Sequence, residues 1–240
     1  MRRGGAVRPE LAAVLIDLDG TLMDTVPDLA HAANAMRQEL GLAVLPVERI
    51  AAFVGKGADS LVHRALTDDL NGQADASRFA QGRAAFFCHY HQINGRHATV
   101  FDGVPQALAQ LRAHGLRLAC VTNKPREFTL PLLKRMGLAA AFEVVVAGDD
   151  VPEKKPHPAQ LLEACRQLNV RPAQCVMLGD SVNDALAAQR AGCPCVLVET
   201  GYNEGQPISA LRDQPGVWGV YANLPLAVAA LELVLRPPPS

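Results

Sequence analysis

Residues Val14–Thr25 read VLIDLDGTLMDT: a short apolar run, then two carboxylates, Asp17 and Asp19, with Gly20 and Thr21 directly after them. A brief apolar run bounded by turn formers predicts a buried strand. The strand would therefore deliver two like charges to its carboxyl end. Asp and Gly also make ordinary turns, so the stretch acquires meaning only from what else reaches the same place.

Three more stretches end the same way. LACVTN closes on Thr122 and Asn123, and CVMLGD closes on Gly179 and Asp180. Lys155 lies in VPEKKPHP, a loop between a predicted strand and a predicted helix. From Leu116 onward apolar runs alternate with amphipathic segments. LRLACVT, FEVVVAG, QCVMLGD and PCVLVE read as strands, and PREFTLPLLKRMG, HPAQLLEACRQLN and SVNDALAAQRAG as helices, the last capped by Ser181 and ended by Gly192. Continuous apolar strands separated by helices predict a parallel sheet covered on both faces, with LAAVLID as a further central strand. Ligands of such sheets bind beyond the carboxyl ends of the strands, so all four polar stretches are expected to converge on one edge.

The region from Asp24 to Ala98 differs. PDLAHAANAMRQEL, VERIAAF, ADSLVHRAL and ASRFAQGRAAFFCHYHQI have helical periodicity, and no strand is evident between them. The simplest division is an α/β core over residues 1–23 and 99–240 with an all-helical cap over 24–98. Hinges are expected at Met23–Asp24 and Ala98–Phe101, where the chain leaves and re-enters the core. The closing RPPPS is expected to fray.

Composition narrows the function classes. The chain has 240 residues, 49% of them apolar, and its 23 basic and 24 acidic residues leave a net charge of −1. That balance offers no general attraction for nucleic acid or an anionic membrane. The six cysteines form no CxxC pair; free thiols in a cytoplasmic protein are the expectation. The apolar run before Asp17 is too short for a signal-peptide core or a membrane span.

Charge supplies the chemistry. Asp17, Asp19 and Asp180 at one point would repel strongly unless a hard divalent cation such as Mg²⁺ sat among them. Asp17 could then act as nucleophile on a phosphoryl group. Lys155, the Thr122 hydroxyl and the Asn123 amide would help to balance the phosphate charge. Asp19, two residues on, would protonate the leaving oxygen and then deprotonate water.

DLDGT, VTN, KKPHP and GDSVND together resemble the four motifs of the haloacid dehalogenase (HAD) superfamily of aspartate-nucleophile phosphohydrolases. The resemblance implies a Rossmann-like core with a helical cap inserted after the first strand. It also implies Mg²⁺ held by Asp17, the Asp19 main-chain carbonyl and Asp180, with Asp184 supporting that site. FVGKGAD, VTNKP, GDDVPEKKPHP and GYNEG further resemble the bacterial branch whose substrate is 2-phosphoglycolate, although phosphatases of amino-sugar phosphates share several of these features.

The cap must then read the rest of a small phosphorylated metabolite. The VGKGAD loop precedes a helix start, and helix N-termini attract anions. Lys56 and Gly57 are therefore expected to face a substrate carboxylate, with Arg64 a second candidate. His89 and His91 are two apart on a helix and do not share a face, so they are expected to pack or sit on the surface. Competing functions are hydrolysis of a sugar or amino-sugar phosphate, a phosphomutase reaction, and a catalytically silent phosphate-binding protein. Halide displacement is disfavoured by Asp19, because halide needs no acid. Oligomeric state is not legible in the chain.

Overall fold

The computed structural model describes residues 11–235; the RPPPS tail and the first ten residues of the core segment lie outside the described residues. The strands, in chain order, are β1 (Ala13–Ile16), β2 (Met23–Asp24), β3 (Thr99–Val100), β4 (Arg117–Val121), β5 (Val144–Val146), β6 (Cys175–Gly179), β7 (Cys195–Val198) and β8 (Val217–Tyr221). Six of them form one parallel sheet in the order β5-β4-β1-β6-β7-β8. The chain builds outward from β1 to β4 and β5, then returns to β1's other side for β6, β7 and β8. β1 is thus the switch point, and Ile16 is in register with both Cys120 and Leu178. The next residue of each strand segment, Asp17, Val121 and Gly179, stands at one level on the sheet's carboxyl edge.

β1 is buried on both faces, and its side chains alternate between two cores. Val14 and Ile16 pack with residues of the helices α5 (Val104–Ala113) and α9 (Leu224–Leu235). Ala13 and Leu15 pack with residues of α7 (Ala159–Gln167) and α8 (Val182–Ala191). The remaining core helix is α6 (Arg126–Arg135), which continues through Pro131. A strand covered on both sides has no use for polar alternation, which is why VLI reads as a continuous run. The whole is a Rossmann-like α/β core.

Between β2 and β3 lie the helices α1 (Val26–Glu39), α2 (Val47–Ala51), α3 (Ala58–Thr67) and α4 (Ala76–Ile93), matching the four segments expected from periodicity. They form a helical cap with its own apolar cluster, centred on Met36, Phe53, Val62 and Phe86. Phe128, from the start of α6, joins that cluster and gives the cap an anchor on the core.

The structure adds three features to the sequence reading. Met23 pairs with Val100 and Asp24 with Thr99 in a two-stranded antiparallel ribbon, at the two crossings expected to be hinges. The Asp28 carboxylate, fully buried, accepts from the Gly95, His97 and Ala98 N–H groups at 2.7, 2.9 and 3.2 Å and ties α1 to the returning chain. Finally, β8 extends the sheet's edge, with Trp218 facing solvent and Gly219 in its middle. No helix among the described residues is long and apolar enough to cross a membrane.

Candidate active site

Asp17 follows β1, and its N–H donates to the Leu178 carbonyl of β6 at 2.9 Å, extending the sheet by one step. The chain then turns at Gly20, whose φ of +87° a side chain would strain. A Cβ there would also lie 2.6 Å from Asp180 Oδ2. The glycine therefore lets the turn after β1 close over the carboxylate that follows β6.

Lys155 is buried beneath this edge. Its Nζ donates to Asp17 Oδ1 at 2.9 Å, Asp184 Oδ1 at 2.6 Å and the Val121 carbonyl at 2.8 Å. Its main-chain N–H is fixed by Asn123 Oδ1 at 3.0 Å and Gln160 Oε1 at 2.9 Å. Burial alone would lower the Lys155 pKa, but Asp17 and Asp184 outweigh it and hold the ammonium charged. Asp184 also accepts from Ser181 N–H (3.1 Å) and Oγ (2.7 Å), so one carboxylate caps α8 and orients the lysine.

Three carboxylates gather here around a single ammonium, which bonds only Asp17 and Asp184. Asp17, Asp180 and Asp184 each present an oxygen, all within 4.8 Å of one another. Asp180 accepts from the Thr21 hydroxyl at 2.7 Å and the Tyr202 N–H at 3.1 Å, neither of them charged. Burial raises the Asp17 pKa to about 7 against the pull of Lys155, with Asp184 and Asp19 adding to the rise. Burial, then Asp17 and Asp184, push Asp180 well above the carboxylate range. An all-oxygen cluster short of positive charge fits a hard divalent cation.

Asp19 stands apart from that cluster. Its Oδ1 accepts from Thr25 Oγ1 at 2.6 Å and from Lys124 Nζ at 3.0 Å. Lys124 is buried, and burial would lower its pKa, yet Asp19 reverses the effect and keeps the ammonium charged.

Thr122 and Asn123 follow β4, as expected, but their polar groups differ in availability. The Thr122 Oγ1 accepts from Lys124 N–H at 3.2 Å. The Asn123 amide donates to the Lys155 carbonyl and to the Gly55 carbonyl of the cap, both at 2.9 Å, while its oxygen holds Lys155 N–H. Asn123 is thus a brace between the lysine loop and the cap.

A half-enclosed cavity of about 470 Å³, counting its open mouth, lies between sheet edge and cap. Asp17, Asp19, Thr122, Asn123 and Lys124 line its core side, and Gly55, Gly57 and Tyr90 belong to its cap side. Of the cap residues expected to face substrate, Gly57 lines the cavity. Lys56 and Arg64 instead reach Glu204 of the loop after β7, with Lys56 Nζ at 2.9 Å and Arg64 Nη2 at 2.5 Å from Oε1. His89 and His91 pair with Glu39 and Glu127, each at 2.9 Å, and share no partner.

Sequence reasoning missed Lys124, Gln160 and Tyr90. Lys124 was accessible, since it directly follows Thr122 and Asn123 at a strand's carboxyl end. Gln160 and Tyr90 look like ordinary helix residues until the fold places them.

The family model for haloacid dehalogenase-like hydrolases matches residues 11–192. A phosphoglycolate phosphatase of Thiobacillus denitrificans is 46% identical over 201 residues, which cover 84% of this chain and 88% of that protein. A phosphoglycolate phosphatase of Nitrosospira multiformis is 47% identical over 201 residues, with the same coverage of 84% and 88%. Among solved structures, a predicted phosphoglycolate phosphatase from Haemophilus somnus 129PT superposes with a TM-score of 0.82 at 30% identity, covering 95% of this chain and 99% of that one. By sequence, fold and the order of its strand-end residues, the chain belongs to the haloacid dehalogenase-like hydrolases.

Proposed function

We propose that this hydrolase cleaves 2-phosphoglycolate to glycolate and phosphate, with Mg²⁺ as its cofactor and Asp17 as nucleophile. The observation that carries the reading is that Asp17 lines a small cavity while bonded to a buried ammonium and within 4.8 Å of two further carboxylates. The names of the relatives above favour phosphoglycolate among small phosphate esters.

Asp17, the Asp19 main-chain carbonyl and Asp180 would hold Mg²⁺, with Asp184 supporting them. Bound there, the ion would neutralise phosphate charge and steer the substrate toward the carboxylate. A free Asp17 oxygen attacks phosphorus, and the bond from phosphorus to the glycolate oxygen breaks. Asp19 gives its proton to that leaving oxygen. In the second step Asp19 takes a proton from water, the water oxygen attacks phosphorus, and the aspartyl phosphate breaks to restore the Asp17 carboxylate. Thr122 binds a phosphoryl oxygen through its hydroxyl. Lys155, whose three ammonium protons go to Asp17, Asp184 and the Val121 carbonyl, holds the nucleophile and balances charge from beneath instead of bonding phosphate as the sequence suggested. Asn123, whose amide protons both go to carbonyls, holds the Lys155 loop in place instead of donating to phosphate as the sequence suggested.

The functional division is residues 1–23 and 99–240 as catalytic core and 24–98 as cap. The cap excludes bulk water while the phosphoryl group is transferred and opens for release. The Met23–Asp24 and Thr99–Val100 ribbon is where it would pivot. All six cysteines are free thiols, which suits a reducing cytoplasm.

The test is phosphate release with and without Mg²⁺ across 2-phosphoglycolate, small sugar phosphates, amino-sugar phosphates and pyrophosphate. Phosphoglycolate should be preferred by orders of magnitude, with turnover lost without Mg²⁺ and in Asp17→Asn. Equal or better turnover of a sugar phosphate would overturn the substrate; Mg²⁺-independent release would overturn the cofactor.

A further inference from the structure

The cavity contains two buried donors that the phosphoryl chemistry does not use. The Tyr90 side chain comes from α4 and is 1% exposed, and its hydroxyl proton has no acceptor within hydrogen-bond distance, the neighbouring polar group being the Lys124 ammonium, itself a donor. Burial pushes that phenol up to about 12, so it is a neutral donor. An unsatisfied buried hydroxyl is costly, and here it lines the same cavity as Asp17 and Asp19. Beside it, Lys124 Nζ lies 4.9 Å from the centre of the Tyr90 ring and donates to Asp19 Oδ1 at 3.0 Å. An ammonium has three protons, so this one retains donor capacity toward the cavity.

We infer that the Tyr90 hydroxyl and the Lys124 ammonium form a subsite for the carboxylate of the substrate's leaving group. The inference rests on the proposed phosphatase reaction and names the residues that select its substrate. Position supports it. Lys124 touches Asp19, the acid that faces the leaving oxygen, and in phosphoglycolate the carboxylate is separated from that oxygen by one methylene. A carboxylate next to Lys124 accepts one bond from the ammonium and one from the phenol, satisfying the orphaned hydroxyl.

The rest of the wall argues against larger polar groups. Leu29, Val54, Leu61 and Phe86 line the cavity and offer no side-chain partner to a sugar hydroxyl. Polar groups left unpaired in such a pocket are rejected strongly. Lys56 and Arg64 are held by Glu204 and do not line the cavity, so Lys124 is the lysine that does.

The experiment compares kcat/KM for 2-phosphoglycolate and for ethyl phosphate, which lacks the carboxylate, in wild type, Tyr90→Phe and Lys124→Met. Inhibition by glycolate is measured alongside, and thermal melting verifies that each variant is folded. Wild type should prefer phosphoglycolate strongly. Tyr90→Phe should reduce that preference about tenfold and Lys124→Met about a hundredfold, as expected for one neutral and one charged hydrogen bond. Glycolate inhibition should weaken in the same order. A strong wild-type preference that survives in Tyr90→Phe, with glycolate inhibition intact, would overturn the subsite and leave the substrate assignment standing. A wild-type preference near one would overturn both.

Discussion

Lys155 Nζ lies 2.9 Å from Asp17 Oδ1, so the proposed nucleophile is neutralised from below by a cation that is itself almost wholly buried. The same ammonium bonds Asp184 at 2.6 Å. Lys155→Met removes the positive charge and strands two carboxylates. It should lower kcat by about 10²–10³, the scale of one lost electrostatic stabiliser. It should also destabilise the fold by about 3 kcal/mol, because breaking a buried pair leaves uncompensated charge. Steady-state kinetics and urea unfolding check the two effects separately.

The raised carboxylates make stability depend on pH and on metal together. The Asp17 pKa rises on folding from its ordinary 3.8 to about 7, and Asp180 shifts in the same direction. Between those values the folded protein binds more protons than the unfolded chain. Metal-free stability therefore falls as pH rises from about 4 to 7. A divalent cation binds the deprotonated carboxylates, so its stabilising effect grows over the same interval. Melting curves with EDTA and with Mg²⁺ at pH 5 and pH 8 should show a larger Mg²⁺-induced rise at pH 8.

Asp28 should matter although it touches no reacting group. Its carboxylate satisfies the Gly95, His97 and Ala98 N–H groups where the cap chain returns to the core. Asp28→Ala strands buried donors and should cost about 2–4 kcal/mol, read as a lower denaturant midpoint. A midpoint equal to wild type would show that the cap junction tolerates the loss.

Glu204 ties cap to core. Its carboxylate meets Lys56 and Arg64, whose charges outweigh burial and hold it below the ordinary carboxylate range. Glu204→Gln weakens both contacts. Hydrogen exchange over α3 and the preceding loop should become several-fold faster, with the α/β core unchanged. Unaltered exchange would mean that Gly55 and Asn123, joined at 2.9 Å, hold the cap without it.

Much of this architecture is legible in the chain because β1 and its neighbours are buried on both faces, so their sequences are unbroken apolar runs that end abruptly at polar residues. The four cap helices are legible for a different reason: each buries one face, and its periodicity shows it. β8 escapes because Trp218 is exposed and Gly219 interrupts the pattern at a sheet edge. Of the carboxylate cluster, Asp17 and Asp180 are legible from strand-end placement; Asp19, expected with them, stands apart, and the third place is taken by Asp184 of α8, which only the family resemblance connected with the site. Tyr90 is not, since in sequence it is one aromatic among several on α4. Its significance is the missing acceptor for its hydroxyl proton, which only the packed structure shows. Lys56 and Arg64 mislead for a similar reason: the helix start is real, but Glu204, some 140 residues later, occupies the cations.

The most direct test of the central claim is a rapid acid quench of the Mg²⁺-loaded enzyme during turnover of ³²P-labelled 2-phosphoglycolate, followed by peptide mapping. The account predicts an acid-stable, hydroxylamine-sensitive label on the peptide carrying Asp17, formed before glycolate and phosphate reach steady state and absent from Asp17→Asn. Turnover at full rate with no covalent label, or a label on another residue, would contradict it.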